Sequence, residues 1–248
     1  MRLTVVGCSG SLPGPGSAAS CYLVEADGYR VLLDLGSGAL GPLQRHVDLL
    51  DLDAVLLTHL HADHCLDLCG LYVAYRFGPT RPARPLPVYG PAGTAARMAR
   101  AYDLPEEPGM SAQFDFRTYP VGALGLGPFA VTSAPMDHPV ETRALRLAAP
   151  DAALVFSGDT GPTDALVELA RNCDLLLAEA SFRDGAANPP NLHLTGREAG
   201  EHATRAGAGA LVLTHVPPWG DRQLAVDEAR GAYGGPSEAA RPGTVFDL

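Results

Sequence analysis

Short apolar runs bounded by glycine, proline or aspartate recur along the whole chain, which is the pattern of buried β-strands separated by turns. The second and third runs flank Asp27-Gly28, a dipeptide suited to a tight hairpin turn. Strands are therefore predicted at residues 2–7, 21–26, 30–35, 53–58, 86–89, 114–119, 129–134, 143–148, 153–157, 174–177 and 210–214.

Apolar residues at helical spacing separate several of these strands and predict helices at residues 66–75, 94–102, 163–171, 196–206 and 224–232. Hairpin strands come first, strand-helix alternation follows, and the same order repeats in the second half. This order predicts an α/β (α+β) protein with mixed sheets rather than a purely parallel one. A length of 248 residues without a linker-like segment predicts one domain over residues 1–248.

Composition narrows the chemistry and the partners. All 18 cationic residues are arginine, which excludes lysine-dependent Schiff-base and P-loop chemistry. The net charge of −10 disfavours a nucleic acid partner, because an acidic surface repels a polyanion. No apolar run is long enough for a membrane helix or a signal peptide, so we expect a cytoplasmic protein with no membrane partner. The five cysteines form no CxxC pair and are expected to be buried free thiols.

The strongest chemical signal is a His-x-His-x-Asp-His run, which holds three of the eight histidines within six positions. It follows the predicted strand 53–58, and an extended turn there directs His59 and His61 to one side. Entry into a helix turns Asp63 and His64 to the other side, so the run predicts ligands for two metal ions. The alternative is a polar helix start capped by Asp63, although capping requires no histidine.

Three later apolar strands also end in metal-binding side chains, and strand ends in α/β proteins meet at one edge of a sheet. A carboxylate that bridges two ions is typical of phosphoester and amide hydrolysis. Imidazole and carboxylate ligands without cysteine favour two divalent ions, Zn²⁺ first and Mn²⁺ as the alternative. Asp137 is expected to be a loop residue or to support a ligand. The predicted ligands are His59, His61 and His138 for one ion, Asp63, His64 and His215 for the other, and Asp159 for both.

These residues resemble the metallo-β-lactamase fold, specifically its ribonuclease Z-like phosphodiesterase branch. The resemblance runs from the glycine-rich segment 7–11 to residues 213–215, and it implies a four-layer αββα sandwich with two mixed β-sheets and a dinuclear zinc site between similar halves. Residues 157–160 resemble the bridging-aspartate motif. Residues 178–182 and 193–195 resemble the ribonuclease Z segments that have the sequences HEAT and HST. Ala178 stands where that family has the histidine of HEAT. By this likeness, Glu179 and His193 donate a proton to the leaving alcohol.

The overall likeness is greater to the actinobacterial cyclic-nucleotide phosphodiesterases of this fold, called atypical class II. The matching stretches are residues 7–11, 40–46, 59–68 and 213–219. This resemblance implies a metal-dependent hydrolase that converts 3′,5′-cyclic nucleotides, cyclic AMP in particular, to 5′-monophosphates. In such a reaction Asp63 would orient or deprotonate the attacking water. His193 would contact the substrate and, with Glu179, protonate the departing 3′-oxygen.

Several alternatives stay open at this stage. Ribonuclease Z carries a long arm between the third histidine and the bridging aspartate, whereas only twenty residues, 139–158, fill that interval here. A tRNA 3′-processing endonuclease is therefore the second hypothesis, followed by a glyoxalase-type thioesterase or a redox partner of a flavoprotein. His193 alternatively marks a helix start capped by Thr195. The loop 7–16 is either a phosphate cradle or an ordinary turn. His46 and His202 are expected to be structural or surface residues, and the oligomeric state is open, with a homodimer one option.

Overall fold

The computed structural model describes all 248 residues and contains two β-sheets flanked by helices. The strands are β1 Arg2–Ser9, β2 Ala18–Ala19, β3 Cys21–Ala26, β4 Tyr29–Leu33, β5 Ala54–Leu56, β6 Leu86–Gly90, β7 Phe114–Thr118, β8 Leu124–Leu126, β9 Phe129–Pro135, β10 Arg143–Ala149, β11 Ala152–Phe156, β12 Leu175–Glu179, β13 Ala210–Thr214, β14 Ser237–Ala239 and β15 Val245–Asp247. The helices are α1 Leu40–Leu43, α2 Ala62–Cys65, α3 Leu68–Phe77, α4 Thr94–Ala101, α5 Asp164–Leu169, α6 Gly196–Ala206 and α7 Arg222–Arg230, with a 3₁₀ turn at Leu49–Asp51.

Both sheets are mixed, as predicted. The first has the order β15-β1-β3-β4-β5-β6-β7, with β2 beside β1, and the second has the order β14-β13-β12-β11-β10-β9-β8. In the first sheet β1, β3 and β4 pair antiparallel and β4 to β7 pair parallel. The second sheet repeats this arrangement, with β8 to β11 antiparallel and β11 to β14 parallel. The two halves of the chain thus have similar topologies.

The hydrophobic core has three parts, which define four layers. The inner faces of the two sheets pack against each other, and Tyr22 and Phe156 meet there with ring centroids 5.0 Å apart. The outer face of the first sheet is covered by α1 to α4, for example by Leu71. The outer face of the second sheet is covered by α5 to α7, for example by Ala203. The predicted αββα sandwich is confirmed.

Side-chain caps define where the two longest helices of the second half begin. Thr195 accepts a hydrogen bond from the backbone N–H of Glu198, whose carboxylate accepts in return from Thr195, which forms a capping box at the start of α6. Asp221 accepts from the N–H groups of Gln223 and Leu224 at the start of α7. These caps fix the loops that precede both helices, and both loops border the site described below.

The structure departs from the predicted elements at a few places. The helix predicted at 66–75 is α3, which begins at Leu68 because residues 66 and 67 form a turn after α2, and the Asp67 carboxylate in that turn accepts from the Leu40 N–H. The short strands β2, β8, β14 and β15 were not predicted, since two or three residues give no readable alternation. His46 lies in an exposed turn after α1 rather than in a helix. All five cysteines are free, and all but Cys69 are buried. None of the helices has the length and apolar character needed to cross a membrane.

Candidate metal centre and active site

The His-x-His-x-Asp-His run lies between the end of β5 and the first turn of α2. His61 is the residue before α2 and makes no capping hydrogen bond. Asp63 lies in the first turn but does not cap the helix, and its Oδ2 lies 3.1 Å from His215 Nε2. The capping alternative is therefore wrong. The run presents its side chains to residues that are far away in the sequence.

The first cluster of the site comprises His59, His61, His138 and Asp159, whose ligand atoms all lie within 4.8 Å of one another. His59 Nε2 is 3.0 Å from His61 Nδ1, and His138 Nε2 is 3.4 Å from the same His61 atom. Asp159 Oδ2 is 3.7 Å from His59 Nε2. This is the set of residues predicted for the first ion.

The second cluster comprises Asp63, His64, His215 and again Asp159. His64 Nε2 is 3.1 Å from His215 Nε2, and Asp159 Oδ1 is 3.2 Å from His64 Nε2. Asp159 thus directs Oδ2 to the first cluster and Oδ1 to the second, as a bridging carboxylate must. The structure brings all seven predicted ligands together in the predicted division.

The donor atoms of these clusters fit cations. His64 Nδ1–H donates to Asp34 and His138 Nδ1–H donates to the Leu192 carbonyl, so Nε2 is the atom of each ring that faces the cluster, and it presents a lone pair there when the ring is neutral. Facing lone pairs repel each other unless a positive charge lies between them. The buried Asp159 Oδ1 also has no hydrogen-bond partner. The His and Asp cluster is therefore consistent with a dinuclear metal site.

The pKa values in the clusters reflect burial opposed by the neighbouring charges. Burial lowers the pKa of His59 well below its usual value, which keeps the ring neutral. Burial raises the pKa of Asp159, but the nearby rings of His215 and His64 outweigh it and leave that pKa well below normal. His64 differs, because burial lowers its pKa while the carboxylates of Asp159 and Asp34 raise it well above normal. The space between these carboxylates therefore favours positive charge.

Asp34 is a site residue that the sequence analysis missed. Its carboxylate is fully buried, lies 2.7 Å from His64 Nδ1 and accepts from both the N–H and the hydroxyl of Thr58. The bond fixes the ring orientation and tautomer of His64, which is a common arrangement around metal-binding histidines. The signal that was available is an aspartate inside the apolar run that contains β4. Its φ of 56° also places it in the left-handed region.

Ser181 supports His215 in the same way and was also missed. Its hydroxyl lies 2.8 Å from both Nδ1 and the carbonyl oxygen of His215. On the opposite side, Gly10 lies so close that a Cβ there would be 2.1 Å from the His215 carbonyl. The Gly10 and Gly14 N–H groups already bond Val216 and Ser17. The loop at 7–16 thus packs against His215, and because its Ser11 N–H is directed at His215 Nε2 at 3.5 Å, the phosphate-cradle alternative stays a prediction.

Glu179 and His193 form the pair that the resemblance implied. Glu179 ends β12 and is fully buried, and its Oε1 lies 3.0 Å from His193 Nδ1 and accepts from the Thr160 N–H. The His193 ring is 5.5 Å from the rings of both His138 and His215, centroid to centroid. It therefore adjoins both clusters. Thr195 caps α6, as the alternative for His193 also expected, so the cap does not distinguish the two interpretations; the contact of His193 with Glu179 is what favours a role in the site.

The environment of His193 favours its protonated form. Burial lowers the pKa of the imidazole, but the carboxylate of Glu179 more than offsets this and leaves the pKa above its usual value. A protonated imidazole is the form that a general acid requires. The catalytic role of the pair stays a prediction.

The remaining candidates are structural. The N–H of Asp137 donates to the Thr160 hydroxyl and its carbonyl accepts from Gly161, so its backbone fixes the loop beside His138. His202 is buried in α6, where Nδ1 donates to the Glu198 carbonyl and Nε2 accepts from the Thr163 N–H. With both ring nitrogens occupied, His202 has no nitrogen left for a metal ion, as expected.

Protein purified without chelator is expected to contain two divalent ions per chain. Each cluster offers four ligand atoms, one of them from the shared carboxylate, which is enough to hold one ion each. Elemental analysis by inductively coupled plasma mass spectrometry measures the ratio. One ion or none at saturating metal would contradict the dinuclear assignment.

Comparisons with known proteins agree with this architecture. The family model described as "Beta-lactamase superfamily domain" matches residues 29–216. An uncharacterized protein of Mycobacterium leprae is 46% identical over 100% of this chain and 89% of its own length. Ribonuclease Z of Mycobacterium bovis is 32% identical over 88% of this chain and 86% of its own length.

A relative from Bacillus subtilis, named "Probable metallo-hydrolase YhfI", is 31% identical over 100% of both chains. The crystal structure of YhfI, described there as a metallo-beta-lactamase fold protein, superimposes with a TM-score of 0.89 and covers 99% of each chain. The family match, these identities and the histidine and aspartate cluster point to the same conclusion. The chain belongs to the metallo-β-lactamase superfamily and is a metal-dependent hydrolase related to YhfI and ribonuclease Z.

Proposed function

We propose that this hydrolase is a zinc-dependent phosphodiesterase that opens 3′,5′-cyclic nucleotides, cyclic AMP in particular, to 5′-monophosphates. The observation that carries the proposal is the buried Glu179–His193 pair beside both metal clusters. Opening a phosphodiester expels an alkoxide, which is a poor leaving group unless it is protonated. A site built for this reaction therefore needs a general acid in addition to its metal ligands.

The reaction requires one proton acceptor and one proton donor. When bound, two divalent cations would act as Lewis acids that make a water molecule more acidic and withdraw charge from the phosphoryl oxygens. The Asp63 carboxylate, which points into the second cluster, accepts the proton of the attacking water. The water oxygen bonds to phosphorus, the P–O3′ bond breaks, and the 3′-oxygen takes a proton from His193. Glu179 holds Nδ1 of that ring, so Nε2 is the atom free to donate.

The surface around the site favours a small substrate. Only residues 139–142 connect His138 to β10, so the chain has no arm at this position that could hold a tRNA. Nine of the 18 arginines are paired with carboxylates, namely Arg2, Arg30, Arg100, Arg117, Arg143, Arg171, Arg197, Arg205 and Arg230. With a net charge of −10, few cations are left to bind a long polyanion.

Incubation of the purified protein with cyclic AMP is expected to yield 5′-AMP, and the rate is expected to change little with salt. A substrate with one phosphodiester charge displaces few counterions, so the slope of log affinity against log salt should stay below about 1 in magnitude. A tRNA precursor with a 3′ trailer is expected to remain uncut. Liquid chromatography with mass spectrometry identifies both sets of products.

The His193→Ala variant, purified in parallel, shows whether a contaminating phosphodiesterase is present. Efficient cleavage of the trailer that collapses as salt rises would replace the proposal by a ribonuclease Z-like activity. Turnover of a glutathione thioester without turnover of either phosphodiester would indicate a glyoxalase-type enzyme.

A further inference from the structure

Trp219 is the single tryptophan of the chain, and 73% of its residue surface is exposed. It lies four residues after the metal-cluster residue His215, in the loop that leads to α7. A large aromatic ring left in water this close to a reaction site is a candidate contact for a flat ligand.

Trp219 borders a cavity of about 350 Å³ between this loop, the start of α7 and the loop after β12. The volume lies at the lower end of the range for small-molecule sites, about 300–1,000 Å³. Its apolar wall includes Phe182 and Leu224, and its polar wall includes Arg183 and Asn188. The cavity therefore offers both an aromatic surface and hydrogen-bonding groups.

Two contacts join the cavity to the reaction site. Ser181, which lines the cavity, is hydrogen-bonded to His215 Nδ1 at 2.8 Å. Phe182, which also lines it, packs edge-on against the ring of His193, with centroids 5.0 Å apart. The cavity therefore adjoins the reaction site through Ser181 and Phe182.

The charged side chains in the cavity wall differ in whether they already have hydrogen-bond partners within the protein. Asp221 caps α7, and the Glu228 carboxylate accepts from the N–H groups of Asp184 and Gly196. Arg183, in contrast, is exposed, and its guanidinium makes no hydrogen bond or ion pair within the protein. The charged group without a partner is therefore the Arg183 guanidinium, a planar hydrogen-bond donor that suits a ligand with acceptor atoms on its edge.

We propose that this cavity binds the nucleobase of the substrate, with the base stacked on the Trp219 indole and its edge facing Arg183. The inference rests on the proposed cyclic-nucleotide activity and adds the determinant of base binding. In a 3′,5′-cyclic nucleotide the base and the 3′-oxygen are carried by the same ribose ring, so a 3′-oxygen at His193 leaves the base within reach of the Phe182 side. A purine suits the cavity best, because its N7 atom is an acceptor for arginine.

Intrinsic fluorescence tests the subsite without catalysis, since Trp219 is the only tryptophan. Addition of 5′-AMP to the metal-loaded protein is expected to quench the fluorescence with saturation. Ribose 5-phosphate, which has the phosphate but no base, is expected to leave it unchanged. The Phe77→Ala variant, which removes another exposed aromatic ring on α3 far from the cavity, should give the same response as the unaltered protein.

Steady-state kinetics supply the second readout. Trp219→Ala is expected to raise KM for cyclic AMP about 5- to 150-fold, the range expected when one base loses its aromatic stacking partner, while kcat changes little. Trp219→Phe keeps an aromatic face and should raise KM less, and Arg183→Ala should raise KM and weaken the preference for purines over pyrimidines. Circular dichroism of each variant verifies its fold.

These experiments distinguish failure of the proposed base subsite from failure of the proposed cyclic-nucleotide activity. Turnover of cyclic AMP with the same KM in Trp219→Ala, and no quenching by 5′-AMP, would overturn the subsite and leave the activity standing. Saturable quenching by 5′-AMP in a protein that opens no cyclic nucleotide would support the subsite and contradict the activity.

Discussion

Replacement of Asp159 by alanine is expected to remove both divalent ions and to abolish hydrolysis. Asp159 is the only residue common to both clusters, with Oδ2 directed to His59 and Oδ1 to His64. Its loss deletes one ligand and one negative charge from each ion at the same time. The two ions would also repel each other across the remaining imidazoles without the shared carboxylate between them. The fall in kcat should exceed the roughly 10²–10⁴-fold that loss of a general acid causes.

Elemental analysis of Asp159→Ala after dialysis against buffer without metal provides the decisive measurement. Asp137→Ala is the matched control, because Asp137 lies on the same side of the fold beside His138 but is outside both clusters. The control should keep both ions. His138→Ala should lose the first ion more readily than the second, since it belongs to one cluster only. Retention of either ion at normal affinity in Asp159→Ala would show that the bridge is wrongly assigned.

The metal ligands could be predicted because their signal is local. Each one follows an apolar strand, and the carboxyl ends of parallel strands in an α/β fold meet at one edge. The residues after β11 and β13 therefore lie at one edge of the second sheet, and the packing of the two sheets brings the residues after β5 to the same place. The division into two clusters also followed locally, since His59 and His61 precede α2 whereas Asp63 and His64 lie within its first turn.

The residues that support the ligands could not be predicted from local patterns. Asp34 contacts His64 across 30 positions of sequence, and Ser181 contacts His215 across 34. Asp34 is an aspartate in an apolar run, which marks it as unusual but does not name its partner, and Ser181 is not unusual in its segment, so only the packed structure identifies the contacts of both. The cavity beside Trp219 is invisible in the sequence for the same reason, because its walls come from two distant segments, residues 180–188 and 216–228. Short strands such as β14 and β15 depend on pairing with neighbours rather than on their own composition.

Replacement of His193 by alanine is expected to lower kcat on cyclic AMP by roughly 10²–10⁴-fold while leaving two ions bound. His193 lies beside both clusters but belongs to neither of the four-residue sets that contain Asp159. Its Nδ1 is held by the buried Glu179, and the side chain keeps 12% of its surface exposed, which leaves Nε2 as the nitrogen that could meet a substrate. The expected defect is thus in proton donation and not in metal binding.

A change of leaving group distinguishes this role from a structural one. The p-nitrophenolate ion leaves without a proton, so His193→Ala should lose far less activity on thymidine 5′-p-nitrophenyl phosphate than on cyclic AMP, whose 3′-alkoxide needs one. Glu179→Gln keeps an oxygen to accept from His193 Nδ1–H but removes the charge that raises the pKa of the ring, so it should show the same selectivity with a smaller loss. His46→Ala, in an exposed turn, is the control for histidine removal and should match the unaltered protein on both substrates. An equal loss on the two substrates, or a loss of metal, would contradict the assignment of His193 as the general acid.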